Sequence, residues 1–295
     1  MIDIRHHIYS LAAVFLALAI GMVIGTSFNG NSTGSTSARR TIQRYESDMR
    51  KLKEEIIKTT QSKEEKVTAL TQCQEYCRAV MPVAIRQKLN WRNIVLVQTG
   101  DYDDLTGSVK QTLEMAGAKI TCVVDINKHF DFGSDEAIRK ALVDSSLSST
   151  GNPKEDREKL FRVLANTITT GKYDFMAANF EKAEIAVFNG ACNQPAKLVV
   201  MVGGASSGEN RLSQVVDSYL PAALEKLGVN AVGCETSSAV LSYIPVWHKA
   251  GMATVDNADN AIGQTCLIFA LTGEMANFGT KETADRLIPK GLGSS

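Results

Sequence analysis

Asn93-Ile94-Val95-Leu96-Val97-Gln98-Thr99-Gly100 is the stretch on which the fold turns. A short apolar, β-branched run closed by glycine reads as a strand buried on both faces. Asp101 to Ala116 reads as a helix whose first turn carries acidic residues that complement the dipole. Gly117 stops it, and Lys119-Ile120-Thr121-Cys122-Val123-Val124 is a second strand. Strand, helix and strand at this spacing predict a right-handed βαβ unit. The phrase recurs downstream: strand Lys197 to Gly204, helix Leu212 to Leu227, a stop at Gly228, then strand Val229 to Cys234. Helices around Ser134–Ser145 and Lys154–Thr170 lie between the two. The prediction is an α/β domain over 91–275, a duplicated βαβ with a mostly parallel open sheet. Cys122 and Cys234 fall in matching second strands, where buried structural thiols are expected. Asp256-Asn257-Ala258-Asp259-Asn260 reads as the cap of a last helix, Ala261 to Leu271, and the tail 276–295 is expected to fray.

Upstream the grammar is different. Ile8 to Phe28, IYSLAAVFLALAIGMVIGTSF, holds no charged side chain. A helix of about twenty residues rises roughly 30 Å, the thickness of a bilayer's hydrocarbon core. A soluble core helix of this length would show a polar face, and a cleaved signal carries a shorter apolar region of roughly 7–15 residues. A retained anchor over 8–28 is therefore expected, with 1–7 in the cytoplasm and the bulk of the chain outside. Ala13, Ala17, Gly21 and Gly25 fall on one helical stripe, a groove that lets two membrane helices approach closely. Residues 29–37, rich in Ser, Gly, Asn and Thr, read as a flexible linker.

Over 38–84 a coiled-coil helix is predicted. Its seam runs through Ile42, Tyr45, Met49, Leu52 and Ile56, fails at Thr59, Lys63 and Lys66, and resumes at Leu70, Cys73, Cys77 and Val80. A solvated helix docking on the globular domain is the competing reading. Membrane stripe and seam together favour a parallel homodimer. Cys73, Cys77 and Met81, four apart each time, admit three readings: small apolar packing, interchain disulfides, or soft sulfur ligands suited to Cu(I).

Catalytic and anion-binding chemistry finds little support. Lys and Arg number 32 against 32 Asp and Glu, so nothing points to a polyanion such as nucleic acid. Gly204-Ala205-Ser206-Ser207-Gly208 fits G-x-S-x-G, but the acids Asp256 and Asp259 follow His248 instead of preceding it. Gly203, Gly204 and Ser206 could cradle a phosphate at a helix N-terminus or form only a tight turn. His129 and His248 begin no metal-ligand spacing. The expectation is a non-enzyme.

The order of these parts resembles the bacterial copper transporter MctB family. The resemblance rests on the anchor SLAAVFLALAIGMVIGTSF, the first strand with its Gly100-Asp101 end, and the closing VDNADNAIGQTCLIFALTGE. It implies a single-pass envelope protein linked to copper homeostasis, its α/β domain outside the cytoplasm. One transmembrane helix cannot enclose an ion path, so transport rests on the resemblance alone. The alternative is a dimeric scaffold that presents the α/β module to an envelope partner in cell-wall or division machinery. A rod of about forty-three residues would hold that module roughly 60 Å from the bilayer.

Overall fold

Alternation along β1 (Asn93–Gln98) sets up the two cores of the α/β unit. Val95 and Val97 face one apolar cluster, Ile94 and Leu96 the other, as the two-residue period of a strand requires. The computed structural model describes residues 4–29, 32–172, 175–208 and 212–292. It divides into two compact units, Met1–Gln72 and Cys73–Ser295.

The second unit holds a seven-stranded sheet in the order β3-β2-β1-β4-β5-β6-β7. β2 spans Lys119–Ile126, β3 Ala186–Gly190, β4 Leu198–Val202, β5 Asn230–Cys234, β6 Ala253–Val255 and β7 Asn277–Phe278. Every pairing is parallel except β2 with β3. Numbering the helices in chain order, α1 is Ile4–Asn29 and α2 Ser32–Ile85. One face of the sheet carries α3 (Asp103–Met115), α9 (Ala261–Leu271) and the end of α2. The other carries α4 (Asp135–Asp144), α5 (Pro153–Thr170), α6 (Phe175–Lys182), α7 (Leu212–Lys226) and α8 (Ile244–Lys249). The result is a three-layer α/β/α sandwich. β1-α3-β2 and β4-α7-β5 form the centre of the sheet, where the sequence placed its two strand-helix-strand phrases.

Several boundaries differ from the sequence reading. The α/β unit begins inside α2, at Cys73, rather than near residue 91. Met81, Ile85 and Leu89 are buried with α3 and α9, so packing captures the last helical turns. Over the proposed linker 29–37, the described backbone is helical at Asn29 and from Ser32 onward, while residues 30 and 31 lie outside the described part. No proline interrupts that segment, and one glycine costs a helix only about 1 kcal/mol. The tail is folded through residue 292. Phe278 is buried, Gly279 N donates to Arg286 O at 3.0 Å, and Cys266 Sγ donates to Leu287 O at 3.3 Å.

The helix cap falls within the predicted stretch and narrows to one residue. Asn260 Oδ1 accepts from Ile262 N and Gly263 N at 3.1 and 3.0 Å, making it the N-cap of α9. Asp259 instead accepts from Ser237 N and Oγ, and Asp256 from Thr280 N and Lys281 N. Cys122 is no lone thiol: it is disulfide-bonded to Cys192, 70 residues on, with Cα atoms 5.2 Å apart. Cys234 stays a buried free thiol.

The first unit contains α1 and α2 through Gln72. A 20-residue apolar stretch of α1, His7–Thr26, is long enough to cross a membrane. Every described side chain in this unit is exposed.

Candidate functional site

In an open α/β sheet the crevice forms beyond the carboxyl ends of the strands where the winding reverses. Here that point lies between β1 and β4, because the chain leaves β1 towards β2 and leaves β4 towards β5. Past β1, Thr99 N and Gly100 N both donate to Val202 O, and Asp101 N donates to Gly204 O. Those bonds hold the β1 and β4 loops side by side. Gly100 has to be glycine, since a Cβ there would sit 2.5 Å from the Gly203 carbonyl carbon.

Asp101 is the hub of the crevice. Its Oδ2 accepts from Ser206 N at 2.9 Å and from Ser206 Oγ at 3.2 Å. Lys128 Nζ lies 3.8 Å from Asp101 and 3.7 Å from Asp103. The Ser206 donors that could have met a phosphate are thus turned on the chain's own carboxylate. Gly203 also has a packing reason: a Cβ there would strike Trp247 and Tyr243, each ring 2.5 Å away. Of the proposed loop Gly203, Gly204 and Ser206, the structure joins Ser206 to Asp101 and seats Gly203 under two aromatic rings. Ser206 meets no imidazole among the described residues; His248 Nδ1 instead accepts from Asn277 Nδ2 at 2.7 Å.

Beside the crevice lies a cleft of about 540 Å³ lined by Asp101, Asp103, Asp104 and Asp259 together with Tyr102 and Thr236. Four carboxylates against the single flanking Lys128 make it acidic, which repels nucleotides and other phosphate ligands. Beneath it the interior is polar. Asp217 is fully buried; its Oδ1 accepts from Thr99 Oγ1 at 3.0 Å and Trp247 Nε1 at 2.8 Å, while its Oδ2 has no partner among the described residues. Burial pushes this carboxyl up to about 7, with the two hydrogen bonds pulling the other way. Glu235, also fully buried, accepts from Ser242 Oγ, Tyr243 N and Lys281 Nζ at 2.6, 2.8 and 2.5 Å. Sequence reasoning missed both acids. Neither sits in a motif, and only the fold brings Lys281 to Glu235 across 46 residues.

The proposed sulfur ligands are divided by their surroundings. Cys73 is an exposed free thiol and Cys77 a half-buried one. Burial, and after it the neighbouring Cys73, raise the Cys77 thiol above its ordinary value. Met81 is 8% exposed and packs in the core with Ile85 and Leu89, so its thioether faces protein. A soft cation binding at Cys73 and Cys77 would have to displace protons. No group of three or more His, Cys, Asp or Glu side chains is arranged to hold a metal among the described residues. On α1, Ala13, Ala17, Gly21 and Gly25 are exposed, and nothing lies within 4 Å of the Cβ positions of either glycine.

Comparison with known proteins accounts for this combination of parts. Copper transporter MctB from Mycobacterium tuberculosis H37Rv is 24% identical over 95% of this chain and 96% of its own. The protein of that name from Mycobacterium bovis matches to the same extent. The one from Mycobacterium leprae is 28% identical over 51% of this chain and 45% of its own. A family model described as "Copper transport outer membrane protein, MctB" matches residues 1–289, from the apolar helix through the folded tail, and the chain belongs to that family.

Proposed function

We propose that this is a single-pass, non-enzymatic envelope protein that acts in copper homeostasis as a dimer, with its α/β unit outside the cytoplasm. The carrying observation is the family match over 1–289, which includes the anchor and the α/β unit alike. The relatives' name, copper transporter, supplies the copper. The exposed apolar span His7–Thr26 supports a membrane anchor. The Cys122–Cys192 disulfide supports the external side, since such bonds persist in oxidising compartments. Ser206, committed to Asp101, offers no activated nucleophile.

Dimerisation is inferred from two surfaces of the first unit. The Ala13–Gly25 stripe is open, and Ile42, Met49, Leu52 and Ile56 expose their apolar side chains along one seam of α2. A parallel coiled coil would cover that seam and bring Cys73 and Cys77 of two copies together as candidate Cu(I) ligands. The paired βαβ phrases at the sheet centre are read as an internal duplication. A copper role through binding or assisted export suits one helix per chain, which has no enclosed path of its own.

The test is a deletion strain scored for copper sensitivity and complemented with wild type or with Cys73→Ala plus Cys77→Ala. Restored tolerance with wild type alone supports a thiol site. Equal rescue by both removes that site, and unchanged copper tolerance on deletion removes the copper role. Labelling intact cells with a membrane-impermeant thiol reagent reads topology, because the exposed Cys73 reacts only if the α/β unit lies outside. The second reading, a scaffold for an envelope partner, is favoured by the exposed α2 seam. It predicts a morphological defect in the deletion strain without copper sensitivity.

A further inference from the structure

We propose that the strand-entry end of the α/β unit docks on an anionic phospholipid surface, with Trp91 as its anchor. This goes beyond the copper reading and does not depend on it. The chain has two tryptophans. Trp247 is fully buried, whereas Trp91 is 93% exposed. Trp91 also has φ +63°, a left-handed conformation that bulky side chains rarely adopt. It is held there by its N–H, which donates to Gly117 O at 3.2 Å. A strained backbone that presents a large ring to solvent points to a role for the ring outside the fold.

The surroundings say what that role is. Arg92 O accepts from Lys119 N at 2.8 Å, and Lys119 pairs with Asn93 in the sheet. Lys197 precedes Leu198, the partner of Ile94, so it stands one strand over at the same level. Arg86 follows the end of α2. All four cations are exposed, and none forms an ion pair among the described residues. Glu114, in the last turn of α3, offsets one charge. A tryptophan ringed by lysine and arginine is the combination that settles at a membrane–water interface. The cations would meet lipid phosphates while the indole enters the headgroup layer.

The experiment uses the full chain, reconstituted in phosphatidylcholine nanodiscs and mixed with separate vesicles. Vesicles containing phosphatidylglycerol should carry the protein in flotation at least about tenfold better than phosphatidylcholine vesicles at low salt, and the advantage should fade as salt screens it. Indole emission should move to the blue on binding, a change assignable to Trp91 because Trp247 is already enclosed. Trp91→Asn, which tolerates the left-handed backbone, should lower flotation about tenfold. Neutralising Arg86, Arg92, Lys119 and Lys197 to Gln should abolish it, each charge being worth about fivefold. Buried-type emission from Trp247 certifies that each variant is folded. Inorganic phosphate should shift nothing, which separates a lipid surface from a soluble anion. Flotation indifferent to phosphatidylglycerol, equal flotation of folded variants, or a blue shift produced by phosphate alone would overturn the proposal.

Discussion

Helices α1 and α9 are both apolar almost throughout, yet they have opposite fates. All of α9 except Ile262 is buried between the sheet and its neighbours, whereas every described side chain of α1 is exposed. Composition does not separate them; length and company do. α9 has 11 residues, too few to cross a bilayer, and lies against strands β5 and β6. α1 has 26 residues and no apolar partner among the described residues of its own unit. The contrast extends to the two units. The first displays apolar side chains that await a lipid or protein neighbour. The second hides acids and supplies each with donors from its own chain. One is finished by its environment and the other from within.

Four measurements would break or sharpen that contrast. The largest effect is expected at the buried pair. Lys281→Met leaves Glu235 enclosed without its cation and should cost the α/β unit about 3–5 kcal/mol in denaturant unfolding. A loss below about 1 kcal/mol would mean that water reaches this acid. Next comes the disulfide: Cys122→Ser with Cys192→Ser should cost about 2–4 kcal/mol, and treating the wild type with reductant should produce a similar loss.

Asp217 supplies a pH test. Its folded-state carboxyl titrates near 7 against 3.8 for the ordinary group. The unfolded chain therefore releases its proton first, and stability should fall as pH rises from about 4 to about 7, by about 4 kcal/mol. Asp217→Asn should remove that slope while keeping the Thr99 and Trp247 contacts at Oδ1. An unchanged slope would assign the titration elsewhere. The smallest effect concerns the first unit. Leu52→Asp or Ile56→Asp should alter unfolding of the α/β unit by less than about 0.5 kcal/mol while shifting the full chain from dimer to monomer in light scattering. Retained dimers would place the contact on the α1 stripe.

The sequence displayed most clearly what local chemistry decides. β1, β2, β4 and β5 announce themselves because central parallel strands are continuous apolar runs. β3 did not, since AVFNG is an antiparallel edge with mixed burial, and β6 and β7 are only three and two residues long. The long apolar helix α1 was legible from length alone. The crevice was half legible: Gly203, Gly204 and Ser206 do lie at the switch point, but nothing local revealed that Asp101, 105 residues upstream, holds Ser206. Met81 misled for a related reason. Its four-residue spacing from Cys77 is real, but whether a thioether faces solvent or core depends on how α2 meets α3 and α9.

The closing segment of the chain has a consequence for biogenesis. Asp256 takes donors from Thr280 N and Lys281 N, and Glu235 takes its cation from Lys281, so a ribosome-bound chain that has not yet emitted that segment leaves the first acid short of donors and the second without its counter-charge. The acids beside the β6 and β7 edge therefore gain their full set of partners only late in synthesis, once residues 280 and 281 have emerged.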